Sequence, residues 1–268
     1  MSIYCCGACK VETQMIRKSI FGLMCVFAIG STAVADVVNV PASIDNTLYD
    51  DGFGDLSNGA GDHMFVGING NGMRRRAVVR FDVAGSVPAG AVINSASLTL
   101  SMSQTTSGPQ TQSIHRLFSD WGEAGSHAPG NEGGGAFAQP GDATWLHMFS
   151  NTSLWSTEGG DFDATASDSL VINGPASYSW SGPQVIADVQ DMFYMPASNY
   201  GWLIMGAETG VDTAKRYDTK DNTNTVVHPV LVIDFTVPCV LTADINNDGV
   251  VDTADLGILI GEFGLSCP

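Results

Sequence analysis

Six positions near the C-terminus could together hold a cation. Asp244, Asn246, Asp248, Asp252 and Asp255 stand at positions 1, 3, 5, 9 and 12 of Asp244-Ile245-Asn246-Asn247-Asp248-Gly249-Val250-Val251-Asp252-Thr253-Ala254-Asp255. Val250, at position 7, offers its backbone carbonyl. Gly249 permits the sharp bend at position 6. Calcium takes about six to eight oxygens, and alternate residues of a tight turn converge on one point. The expected cofactor is therefore Ca2+. Asp255 stands where a glutamate is usual, so its shorter side chain must reach further to ligate with both oxygens.

The elements beside this loop are small. Leu256, Leu259, Ile260 and Phe263 form one apolar stripe of a helix that Gly264 can cap. Cys239 and Cys267 bracket the unit. At the other end of the chain, Arg17 and Lys18 precede an apolar run from Ile20 to Ile29, and Ala33-Val34-Ala35 follows. This is the order of a secretory signal, so residues 1–35 are read as one, with Met15 as a candidate start. The run is too short to span a membrane, and no later stretch approaches that length. The mature chain is thus expected to be secreted or displayed at the cell surface, without a membrane span.

Setting that segment aside removes four of six cysteines and leaves Cys239 and Cys267. In an oxidising compartment they are expected to form a disulfide. Closing that loop would stabilise the unit by about 3.6 kcal/mol on a chain-entropy account. The segment also takes three of 11 basic and one of 28 acidic residues, leaving a net charge of −19. Such a charge repels phosphates, and no nucleic-acid partner is expected.

The loop and its single helix resemble one repeat of a type I dockerin. The likeness is to cysteine-flanked, single-repeat dockerin-like tails of exported bacterial proteins, with an EF-hand-type calcium loop. It covers residues 238–268. It implies anchoring or sorting, with a cohesin-like or cell-surface partner.

From residue 36 to 237, apolar and polar residues alternate. Ala77, Val79, Phe81 and Val83 share one face, and Arg76, Val78, Arg80 and Asp82 the other. A period of two predicts a strand with one buried face. Ser97–Met102 repeats it, and further strands are expected at 47–50, 63–68, 112–118, 169–172, 201–206 and 230–237. Val185, Ile186, Val189, Met192 and Phe193 predict one helix, ended by Pro196. Gly122 to Pro140 reads as a long Gly-rich loop. Many short strands without a βαβ rhythm predict a mainly β domain, a two-sheet jelly-roll sandwich.

Within this domain no G-x-S-x-G, H-E-x-x-H or phosphate loop occurs. Arg74, Arg76 and Arg80 would share a face; they could meet a polyanionic sugar or pair with the chain's own carboxylates. Trp121, in Asp120-Trp121-Gly122-Glu123, could stack on a sugar at a loop rim or belong to the core. Arg76, Arg80, Trp121 and Glu123 are thus the candidate ligand-binding residues. Asp120 with Glu123, or Glu123 with Glu208, could act as acid and base on a glycosidic bond. Asp161, Asp163 and Asp168, or Asp50, Asp51 and Asp55, could hold a second calcium or simply close turns. Glu208 with Lys215 and Arg216 suggests a salt bridge.

Several of these stretches resemble the exported bacterial DNRLRE-domain proteins. They are residues 57–62, Arg74 to Asp82, Asp120 to Glu123, Gly141 to Trp145, Asn199 to Ile204 and Lys215-Arg216-Tyr217-Asp218-Thr219-Lys220-Asp221. The likeness spans nearly all of residues 40–236. It implies a carbohydrate-binding-type jelly roll and assigns no catalytic residue. The expected function is non-catalytic polysaccharide or glycan binding, anchored through the tail. The alternatives are a polysaccharide-degrading hydrolase or lyase, or a purely structural surface protein.

Overall fold

The computed structural model describes residues 34–238, 243–246 and 251–264, which fall in two units divided near residue 240. Most of residues 1–35, read above as a secretory signal, and Cys239, Cys267, Asp248 and Val250 lie outside the described residues.

The larger unit is mainly β. Its strands are β1 (Val34–Tyr49), β2 (Leu56–Ser57), β3 (His63–Ile68), β4 (Arg74–Phe81), β5 (Val92–Thr105), β6 (Gln110–Arg116) and β7 (Ala136–Phe137). They continue as β8 (His147–Phe149), β9 (Ser153–Leu154), β10 (Asp168–Ile172), β11 (Ala176–Ser181), β12 (Trp202–Met205), β13 (Lys215–Asp218) and β14 (Val230–Val237). Helices α1 (Val83–Ser86) and α2 (Pro183–Tyr194) interrupt them. In the smaller unit, α3 spans Thr253–Glu262.

Every strand pairing among the described residues is antiparallel. In one sheet β5 pairs with β11 on one edge and with β14 and β13 on the other. A second sheet runs β10-β6-β12-β4-β1-β2-β7. Two strands belong to both. Val34 to Pro41 pairs with β14, whereas Ala42 to Tyr49 pairs with β4 after an irregularity at 42–44. Strand β3 passes likewise from β13 to β4. These crossings join the sheets in a barrel-like arrangement.

Alternation explains the inner core. Ala77, Val79 and Phe81 of β4 face Leu98, Leu100 and Met102 of β5, Leu231 and Ile233 of β14, and Trp180 and Trp202. Val185, Val189, Met192 and Phe193 bury the predicted stripe of α2, which packs on β5 and β11. The opposite face of the second sheet departs from expectation. Leu48, Val78 and Leu203 are fully buried there too, beneath Leu117, Trp121, Trp145 and Trp155. The segment that follows β6 folds over this sheet and makes a second apolar layer. Strands β2, β7, β8 and β9 are two or three residues long, too short for a period of two to register in sequence.

Gly201 shows how tightly the sheet is entered. Its φ is +75°, and a Cβ there would collide with the Val79 carbonyl. Gly201→Ala is expected to destabilise the fold by about 3 kcal/mol, combining left-handed strain with overpacking. Denaturant unfolding of the two proteins checks this.

Candidate functional site

In the smaller unit, Asp252 caps α3, accepting from the Ala254 amide at 2.7 Å. Asp255 answers it as a capping box. Its Oδ2 accepts from the Asp252 amide at 2.8 Å, and its Oδ1 from the amides of Ile245 at 2.6 Å and Asn246 at 3.3 Å. These N–H groups, Asp252's first, hold its carboxyl below the usual carboxylate range. Asp255 therefore ties positions 2, 3 and 9 of the loop to its own. Asp244 and Asn246 lie in the same stretch. Asp248, Val250 and the Cys239–Cys267 pair lie outside the described residues.

In the larger unit, Arg76 is buried against the second apolar layer, whereas Arg74 and Arg80 keep 41 % and 27 % of their side chains exposed. Arg76 Nε and Nη2 donate to Glu208 at 2.7 and 2.8 Å, and its Nη1 donates to the Gly159 carbonyl at 2.8 Å. Its guanidinium stacks 4.8 Å from the Trp145 ring. Arg74 pairs with Asp50 at 2.7 Å, and Arg80 with Asp120 at 2.6 Å. Of the two roles weighed for this row, pairing with the chain's own carboxylates is the one observed. The five tryptophans are no more than 5 % exposed, so none presents a face for stacking on a sugar. Trp121 donates its indole N–H to the Tyr200 carbonyl at 2.8 Å. Their burial follows from the second layer, which loop composition alone does not reveal.

The paired acids expected from sequence are not brought together. Asp120 belongs to Arg80 and Glu208 to Arg76. Lys215, also expected near Glu208, is fully buried and caps the carbonyls of Ser107, Gly108 and Asn173. The carboxylates of Asp161, Asp163 and Asp168 accept from backbone amides of their own turns and of Ser181. Asp51 closes the Phe53–Gly54 turn. The Gly-rich loop is pinned by buried Glu132, which accepts from Asn58 Nδ2 and the His63 amide, both at 2.9 Å.

Glu123 instead joins a cluster that sequence did not reveal. Its carboxylate, with those of Asp45 and Asp221, offers ligand atoms all within 4.8 Å of one another. Glu123 Oε1 accepts from the Asp45 amide at 3.2 Å. Asp45 Oδ2 accepts from the Lys220 amide at 2.8 Å. The Lys220 ammonium lies 3.2 Å from Glu123 and 2.8 Å from Asp221. Burial pushes the Asp45 carboxyl up to about 8. Burial likewise raises Glu123 to about 7, although the Asp45 amide and Lys220 oppose it. Burial pulls Lys220 down, but Asp221 and Glu123 outweigh it and hold its ammonium above the ordinary range. Asp45 and Lys220 are 175 residues apart, so no local spacing could signal the pair.

Two clefts flank Phe118, a residue 59 % exposed. One, of about 310 Å³, is walled by Arg116, Asp163, Gln184, Asp191 and Tyr200. The other, of about 480 Å³, is walled by Ser119, Ser156, Thr157, Asp161 and Phe162. Arg116 lies 3.5 Å from Asp191 and also donates to the Asp188 carbonyl at 3.1 Å, which fixes one wall. Hydroxyl, carboxylate, amide and guanidinium groups beside aromatic rings suit a polyhydroxylated ligand.

The raised Asp45 group has a signed consequence. The unfolded carboxyl titrates near 3.8 and the folded one near 8. The fold holds that proton more tightly, so its stabilising contribution is complete below about pH 4 and is lost as pH rises toward 8. With chelator present, the unfolding midpoint of the native chain is expected to fall across about pH 5 to 8 through this group. Asp45→Asn should flatten that part of the slope, as thermal melts at several pH values will show.

No family model matches the chain, and no curated protein matches it.

Proposed function

We propose that the protein is an exported, non-catalytic module that binds polysaccharide through a jelly-roll-type sandwich and is anchored by a calcium-binding tail. The observation that carries this reading is the exposed Phe118 ring between two polar-walled clefts. A sugar ring can lie on such an aromatic face while hydroxyls reach the flanking polar groups. The candidate contacts are therefore Phe118, Tyr200, Arg116 and Asp163 rather than buried Arg76 and Trp121.

Non-catalytic binding is favoured by where the acids lie. Asp45 is fully buried and Glu123 nearly so, and neither lines the clefts beside Phe118; of the acids that do, Asp161 and Asp163 accept from backbone amides of their own turns and Asp191 lies 3.5 Å from Arg116. A general acid must reach the bond it protonates. The tail reading rests on the loop spacing of Asp244, Asn246, Asp248, Val250, Asp252 and Asp255. The Cys239–Cys267 disulfide would complement the ion in a unit too small to fold on apolar burial alone.

Affinity electrophoresis of the full chain against a panel of neutral and acidic polysaccharides tests the binding. Retention by at least one is expected, with Phe118→Ala weakening it by about tenfold or more. Retention by none overturns the reading, and turnover of any polysaccharide overturns its non-catalytic part. For the tail, calcium titration of the full chain followed by amide exchange is expected to increase protection across residues 253–262. Unchanged protection would overturn the calcium assignment.

A further inference from the structure

We infer that Asp45, Glu123 and Asp221 form a second cation site, within the β unit and independent of the tail, that takes one calcium ion. Acidic side chains alone would not establish this. The second observation is Asp45 Oδ1, which is buried and has no hydrogen-bond partner among the described residues, while its carboxylate shares the cluster. A buried carboxylate oxygen without a partner carries an uncompensated desolvation cost, which a bound cation removes.

Donor type and charge point to a hard divalent cation, and the spacing admits calcium. Oxygens bound to Ca2+ lie about 2.3–2.6 Å from it, so opposite ligands stand about 4.6–5.2 Å apart. The three ligand atoms lie within 4.8 Å, inside that span. Once binding of a cation ionises all three carboxyls, they and the Lys220 ammonium carry a formal charge of −2, which one divalent cation neutralises. Asp221, with its side chain 34 % exposed, provides the entry from solvent. Water can complete the shell there. The three ligands come from β1, the start of the Gly-rich loop and the turn after β13. One ion would thereby fasten three segments distant in sequence.

The test is calcium stoichiometry of the full chain by isothermal titration, with Asp244→Asn/Asp248→Asn as a background that disables the tail loop. In that background one equivalent of calcium is expected to remain, at a Kd of about 10⁻⁴ M as in extracellular modules. Adding Asp45→Asn is expected to abolish it, with folding confirmed by melting in chelator. Lys220→Met, which removes the competing ammonium, is expected to tighten binding by about tenfold. No calcium bound in the tail-disabled background, an equivalent that survives Asp45→Asn, or unchanged or weaker binding in Lys220→Met would each overturn the inference. A tail that binds no calcium alters none of these outcomes, so failure of the two sites is told apart.

Discussion

The β unit depends on covering a sheet that is apolar on both faces. Val79 and Phe81 of β4 point into the space between the sheets, while Val78, two strands' worth of neighbours such as Leu48 and Leu203, and the arginine row point the other way. Left in water, that outer face would expose a continuous apolar patch. The segment after β6 closes over it with Trp121, Trp145 and Trp155. Everything charged beneath that cover must then be paired. Arg76 meets Glu208 in a two-bond fork, donates to Gly159 and stacks on Trp145, which uses three of its five N–H donors. Removing one partner of such a desolvated pair would cost far more than breaking a surface salt bridge.

The same cover explains why the Gly-rich stretch is ordered. Glu132 reaches back to Asn58 and His63, and Asp142 accepts from the amides of Ala124 at 2.6 Å and Gln139 at 2.8 Å. A loop that long would otherwise be mobile. Pinning it brings Glu123 against Asp45 and Lys220. The acidic cluster is thus a by-product of how the loop is held, and its repulsion is relieved by a proton, by Lys220 or by a cation. The polar clefts beside Phe118 share no residue with that cluster.

Sequence by itself determined what rests on short-range periodicity. The β character, His63–Ile68, Val230–Val237 and helix α2 all follow from spacing that a single strand or helix must satisfy. Asp252 and Asp255 were read from sequence only as loop ligands; that they also form the capping box of α3 came from the structure, although a helix start is local chemistry. Tertiary structure alone decided the rest. Period-two alternation says that Arg76 and Val78 share a face, not that a later segment will bury that face. It cannot tell a loop-rim Trp121 from a core one, since both have the same neighbours in sequence. Nor can it place Asp45 beside Lys220, because that contact is set by β1 changing sheets and by the turn after β13, at a separation no local pattern encodes.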